Sequence, residues 1–158
     1  MSFVDSIDLL STHKGVKPSK KKPIFPVNDA LRSYLKKNER EVSMPVSYKD
    51  LLNFSTAVSL KDKSGNDTLW KTLFYESPHW EFVRDGLLHI YATLKTKGNL
   101  SFLKQLDVAR IDFCAFGNSN PFRIRIVNKY NDNYDHYYIK QADASRVYGL
   151  ELEHLALP

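Results

Sequence analysis

A single cysteine, Cys114, stands among 158 residues. One thiol forms no internal disulfide and has no second cysteine with which to share a metal, which points to a reducing, cytoplasmic compartment. No basic residue lies beside it in sequence, so a small buried role is expected rather than a reactive one. Long apolar runs are missing too, and none approaches the roughly 20 residues that cross a bilayer. The first residues, Met1 to Asp8, carry acids where a secretory signal carries bases, so neither secretion nor membrane insertion is expected. His13, His79, His89, His136 and His154 are scattered without metal-type spacing. Asp132 and Asp135 flank a turn that lacks the central glycine and terminal glutamate of a calcium loop. Gly-x-Ser-x-Gly and phosphate-loop elements are absent as well, so no metal site and no catalytic residue is expected.

The remaining composition is that of a folded chain. Hydrophobic residues make up 42% of it, enough for one compact domain, placed at residues 24–158. The net charge of +5 is unevenly spread. Residues 1–50 hold 10 Lys+Arg against 6 Asp+Glu, whereas residues 51–158 hold 13 against 12. The excess centres on Lys14, Lys17, Lys20, Lys21 and Lys22, interleaved with Gly15, Pro18 and Pro23. Such a segment repels itself and buries nothing, so residues 1–23 are expected to be a short helix, with Phe3, Val4, Ile7 and Leu10 at helical spacing, followed by a basic flexible linker.

Beyond the linker the pattern predicts a helical portion over residues 24–106. Asn28 or Asp29 caps a helix reaching about Lys37. Ser47 and Asp50 have capping-box spacing, which predicts a helix of about ten residues with Leu51, Leu52, Phe54 and Val58 inward. Lys61 to Asp67 reads as a polar turn, with Asp67 capping a short helix from Thr68 to Tyr75. Ser77-Pro78 opens the clearest helix, whose Val83, Leu87, Ile90, Tyr91 and Leu94 recur at core spacing and which ends by Gly98. Asn99 to Leu106 predicts one more short helix. After Asp107 the period changes to two: Arg110–Phe116, Phe122–Lys129 and His136–Gln141 predict three antiparallel strands, and Asp143 or Ser145 caps a last helix. The expected class is therefore α+β, a helical N-terminal portion packed on a small three-stranded antiparallel sheet followed by a C-terminal helix, with residues 107–158 supplying the sheet and that helix.

Two functional expectations follow. In the first, a glycine turn (Gly117, Asn118, Ser119) joins two strands, the third strand ends on Lys140, and the next helix carries Glu151 and Glu153. Over residues 108–155 this order resembles the small lobe of an atypical protein-kinase-like phosphotransferase. The resemblance implies that the turn's N–H groups approach phosphate oxygens, that Lys140 neutralises them, and that Glu151 holds the lysine. It also implies ATP as cofactor, with magnesium only if a further lobe or partner protein supplies the catalytic loop, because no His-Arg-Asp or Asp-Phe-Gly element follows. The turn has one glycine instead of several, and Lys140 stands closer in sequence to the glutamates than that family's lysine does. In the alternative, Arg123, Arg125 and Lys129 share one strand face opposite Ile124 and Ile126, with Tyr134, Tyr137 and Tyr138 nearby. With Lys20, Lys21 and Lys22, that face makes a non-enzymatic nucleic-acid- or protein-binding module.

Overall fold

A computed structural model describes residues 25–97, 99–116 and 119–156, with side chains described up to 152. The amphipathic segment over 2–11, the lysines of the linker, Gly98, Gly117, Asn118 and the Glu153 side chain therefore lie outside the described residues. Helix α1, Asp29–Lys37, starts where Asn28 Oδ1 accepts the Leu31 N–H at 2.8 Å and ends on Lys36 and Lys37, charges that suit a helix C-terminus. Helix α2, Tyr48–Leu52, is opened by the expected capping box: Asp50 N–H donates to Ser47 Oγ, and Ser47 N–H donates to Asp50 Oδ2.

The chain then departs from the helical expectation. Helix α2 stops after five residues. Ser55 N–H donates to the Phe74 carbonyl at 2.8 Å and starts strand β1, Thr56–Lys61, which pairs antiparallel with strand β2, Asp67–Phe74. Val58, expected in the core, is 52% exposed on the outer side of the hairpin. Asp67 does accept a backbone N–H, from Leu69 at 2.7 Å, but the bond closes a bend at the head of a strand and caps no helix. The expected polar turn forms at Asp62–Asn66: Asp62 Oδ1 accepts from the N–H groups of Ser64 and Asn66, and of Gly65 and Asn66, both expected at positive φ, Gly65 alone takes it, at +82°. The sheet thus has five strands and not three, which corrects both the strand count and the helical assignment over 24–106.

Helix α3, His79–Thr96, links β2 to β3 across the sheet, and a 3-10 helix, Leu100–Gln105, leads into β3, Leu106–Phe113. Strand β4, Phe122–Asn128, and strand β5, Tyr134–Ile139, follow, and helix α4, Ala144–Ala156, ends the described chain. All neighbours are antiparallel in the order β1-β2-β3-β4-β5. Helix α3 packs Val83, Leu87 and Ile90 on Ile111, Phe113, Ile124 and Ile126, all buried. Leu94, expected on that stripe, is instead 63% exposed. Gly86 faces the segment before α2 so closely that a Cβ on it would meet Val46 Cγ2 at 1.9 Å. Tyr137 crosses the core to donate to the Leu87 carbonyl at 2.8 Å, and burial pushes its phenol pKa up. No helix among the described residues is long and apolar enough to cross a membrane.

Candidate nucleic-acid interface

Alternation along a strand separates side chains onto two faces, and the register of β2 to β5 decides which ones meet. Opposite the core, Thr72 pairs with Asp112, Asp112 with Arg123, Arg110 with Arg125, Arg123 with Tyr138, and Arg125 with His136. This outer face carries Trp70 two residues before Thr72, and Tyr134 two residues before His136. Tyr134 and Tyr138 are 61% and 52% exposed, and Val58 and Phe74 continue the exposed surface onto β1 and β2.

Asp112 is the hub of the face. Its side chain is 1% exposed, and it is covered by arginines instead of by apolar residues. Arg123 Nη2 donates to Asp112 Oδ2 at 2.9 Å, Arg110 Nε lies 3.0 Å from the same carboxylate, and the Thr72 hydroxyl donates to Oδ1 at 2.9 Å. Charge-assisted bonds of this kind hold the guanidinium planes in fixed positions. The Arg123 guanidinium lies 4.3 Å over the Trp70 ring, and Arg125 lies 4.3 Å over the Tyr134 ring. Arg125 has no acidic partner among the described residues. Its Nε donates to His136 Nε2 at 3.1 Å, which requires a neutral imidazole. Burial first, and then the charges of Arg125, Arg123 and Arg110, hold the His136 pKa below its ordinary value, against a smaller opposing pull from Asp112. Three arginines against one aspartate leave the face cationic.

No family model, curated protein or solved structure matches the chain.

The basic face differs from the expected one in membership. Arg123 and Arg125 belong to it. Lys129 does not, because β4 ends at Asn128, the Lys129 N–H donates to Gln105, and its side chain lines a recess with Arg84, Leu88 and Lys104. Tyr137 points the other way, into the core. Arg110, Trp70 and His136 join it without having been expected there, and Asp112 sits at its centre, offsetting part of its charge. The alternation of Arg110 with Asp112, matching that of Arg123 with Arg125, was the available signal.

The residues of the phosphate-pocket expectation are spread differently. Lys140 stands one residue past β5, exposed, at one end of an apolar groove of about 470 Å³ that includes Met44, Ile90 and Leu94. Ser119 is brought near it, its carbonyl accepting the Gln141 N–H at 3.3 Å. Glu151, however, is buried against α1 and its following loop, where its Oε1 accepts from Arg40 Nε at 3.0 Å. Among the described residues Lys140 has no carboxylate partner, so Glu151 anchors the C-terminal helix instead of orienting the lysine. Among the described residues, no group of three His, Cys, Asp or Glu side chains is arranged to hold a metal ion.

Proposed function

We propose that this protein binds single-stranded nucleic acid on the outer face of its sheet. The observation that carries this reading is Arg125, stacked over Tyr134 and without an acidic partner among the described residues, beside the exposed ring of Tyr138. Phosphates release condensed counterions when arginines neutralise them, and unpaired bases stack on exposed rings. Tyr134 and Tyr138 lie four residues apart on one strand, about 13 Å, so two non-adjacent bases of an extended strand have separate platforms. A duplex keeps its base faces stacked internally and offers these rings nothing, so the surface favours single strands.

The test is fluorescence anisotropy with labelled short oligouridine RNA, its DNA counterpart, and a duplex of the same length. Affinity for both single strands should exceed that for the duplex and fall steeply between about 50 and 200 mM salt. Arg125→Ser should lower the logarithmic salt slope by about 0.7, the contribution of one phosphate on a single strand. Tyr138→Ala should cost about 1–3 kcal/mol of binding with little change in slope. A preference for duplex, or an Arg125→Ser variant that binds as the parent does, refutes the reading. Any difference between the RNA and DNA arms reports contacts to the 2′-hydroxyl.

A further inference from the structure

We infer that the cleft where β2 and β3 part is a guanine pocket, an assignment that rests on the single-strand reading and adds base selectivity to it. The two strands pair at only two positions, Lys71 with Phe113 and Thr72 with Asp112. Continued by two residues, the ladder would set Phe74 opposite Arg110. Instead the register of β3 against β4 shifts between Val108 and Arg110, and the Phe74 carbonyl turns to accept from Ser55 N–H and Oγ. Bulges of this kind re-aim a side chain. The parting leaves a cavity of about 280 Å³ lined by Phe74, Tyr75, Trp80, Ala109 and Arg110. That is at the small end for ligand sites and suits one planar heterocycle.

The pocket combines a stacking wall with a fixed polar fork. Phe74 is 52% exposed on the outer face, while Tyr75 and Trp80 stack on each other at 6.2 Å on the core side. Arg110 contributes the fork. Its Nε is spent on Asp112, at 3.0 Å, which fixes the guanidinium plane, and neither Nη has a partner among the described residues. Two parallel donors with no acceptor need two adjacent acceptors on the ligand edge. Guanine offers O6 and N7 on its Hoogsteen edge, whereas adenine places an amino donor beside N7 and is rejected. Neighbouring phosphates of the same strand then reach Arg123 and Arg125.

The decisive measurement is competition anisotropy with oligouridine carrying one central guanosine, adenosine or cytidine, read as the affinity ratio of each strand to oligouridine itself. For the parent protein the guanosine ratio should be at least about fivefold, and the others near one. Arg110→Lys keeps a cation opposite Asp112 but loses the fork, and its guanosine ratio should fall to about one. Phe74→Ala removes an exposed ring without opening the core, so it provides a second, folded variant whose ratio should also fall. Equal affinity for all four strands overturns the pocket while leaving the sheet-face reading in place. A preference for cytidine, whose N3 and O2 are the other adjacent acceptor pair, overturns the guanine assignment. Failure to bind any strand overturns the sheet-face reading, and the pocket falls with it.

Discussion

The two faces of the sheet are drawn from the same strands and follow opposite rules. On the core face, Phe113, Phe122, Ile124 and Ile126 are at most 2% exposed and interlock with α3, where volume and shape decide what is tolerated. On the outer face, Arg110, Arg123 and Arg125 alternate with those residues, and position is set by charge and ring contacts around Asp112. An outer face serving solubility alone needs only hydrated side chains. This one orders its arginines over rings and a buried carboxylate, which costs side-chain entropy and, on the proposed reading, lessens the ordering that a ligand has to impose. The contrast predicts that substitutions on the core side act on stability alone, whereas those on the outer side separate stability from binding.

The largest effect is expected at Gly86→Ala. The added methyl has to displace Val46, which is fully buried, so overpacking should cost about 1–3 kcal/mol or more in urea denaturation. A change within about 0.5 kcal/mol would show that α3 and the Val46 segment are less tightly joined than the structure has them.

Asp112→Asn comes next and probes the outer face. Removing the charge that two arginines share should cost about 1–3 kcal/mol of stability. The same change leaves three arginines without a counter-charge, so affinity for oligouridine should rise while stability falls. A variant that loses both would mean that the hub positions the arginines for binding more than it restrains their charge.

Tyr137→Phe returns to the core face, where deleting a hydroxyl that donates to the Leu87 carbonyl should cost about 1 kcal/mol in thermal or urea melts and leave oligonucleotide affinity unchanged. Altered binding would couple the two faces more closely than their alternation implies.

The smallest effect concerns His136. Because its folded pKa is below the ordinary value, the unfolded chain takes up the proton first as pH falls. The stability linked to the neutral imidazole is complete above the ordinary histidine range and is lost as pH falls through the depressed folded value. A bound phosphate offsets the arginine charges and raises that value, so oligouridine binding should take up a fraction of a proton and tighten a few-fold toward mildly acidic pH. His136→Gln should flatten that dependence, and calorimetry in buffers of different ionisation enthalpy reads the proton directly.

Much of this architecture was legible because its signals are local. The capping box at Ser47 and Asp50, the Asp62–Asn66 turn, helix α3 and the alternation through β3, β4 and β5 each rest on neighbours in sequence. The start of β1 reads as helix because a sound helix start precedes it and Leu51, Leu52 and Val58 fit a helical spacing, and β2 because Asp67 has the side chain of a cap. Pairing with β1 along the hairpin, and with β3 at Lys71 and Thr72, makes the extended form of Thr68 to Phe74 the better one.

The sequence by itself determined which side chains β3, β4 and β5 offer to each face, since alternation is a property of the extended backbone, and it determined where α1 and α2 begin, since the Asn28 and Ser47 caps satisfy adjacent N–H groups. Tertiary structure decided which of those faces lie together. The β3–β4 register put Arg110 beside Arg125, the end of β4 at Asn128 turned Lys129 away, and α1 and its following loop claimed Glu151 through Arg40 before Lys140 could. Strand register and helix docking are settled by contacts between residues far apart in the chain, whose energy depends on how the whole core closes, and no short window of sequence carries that information.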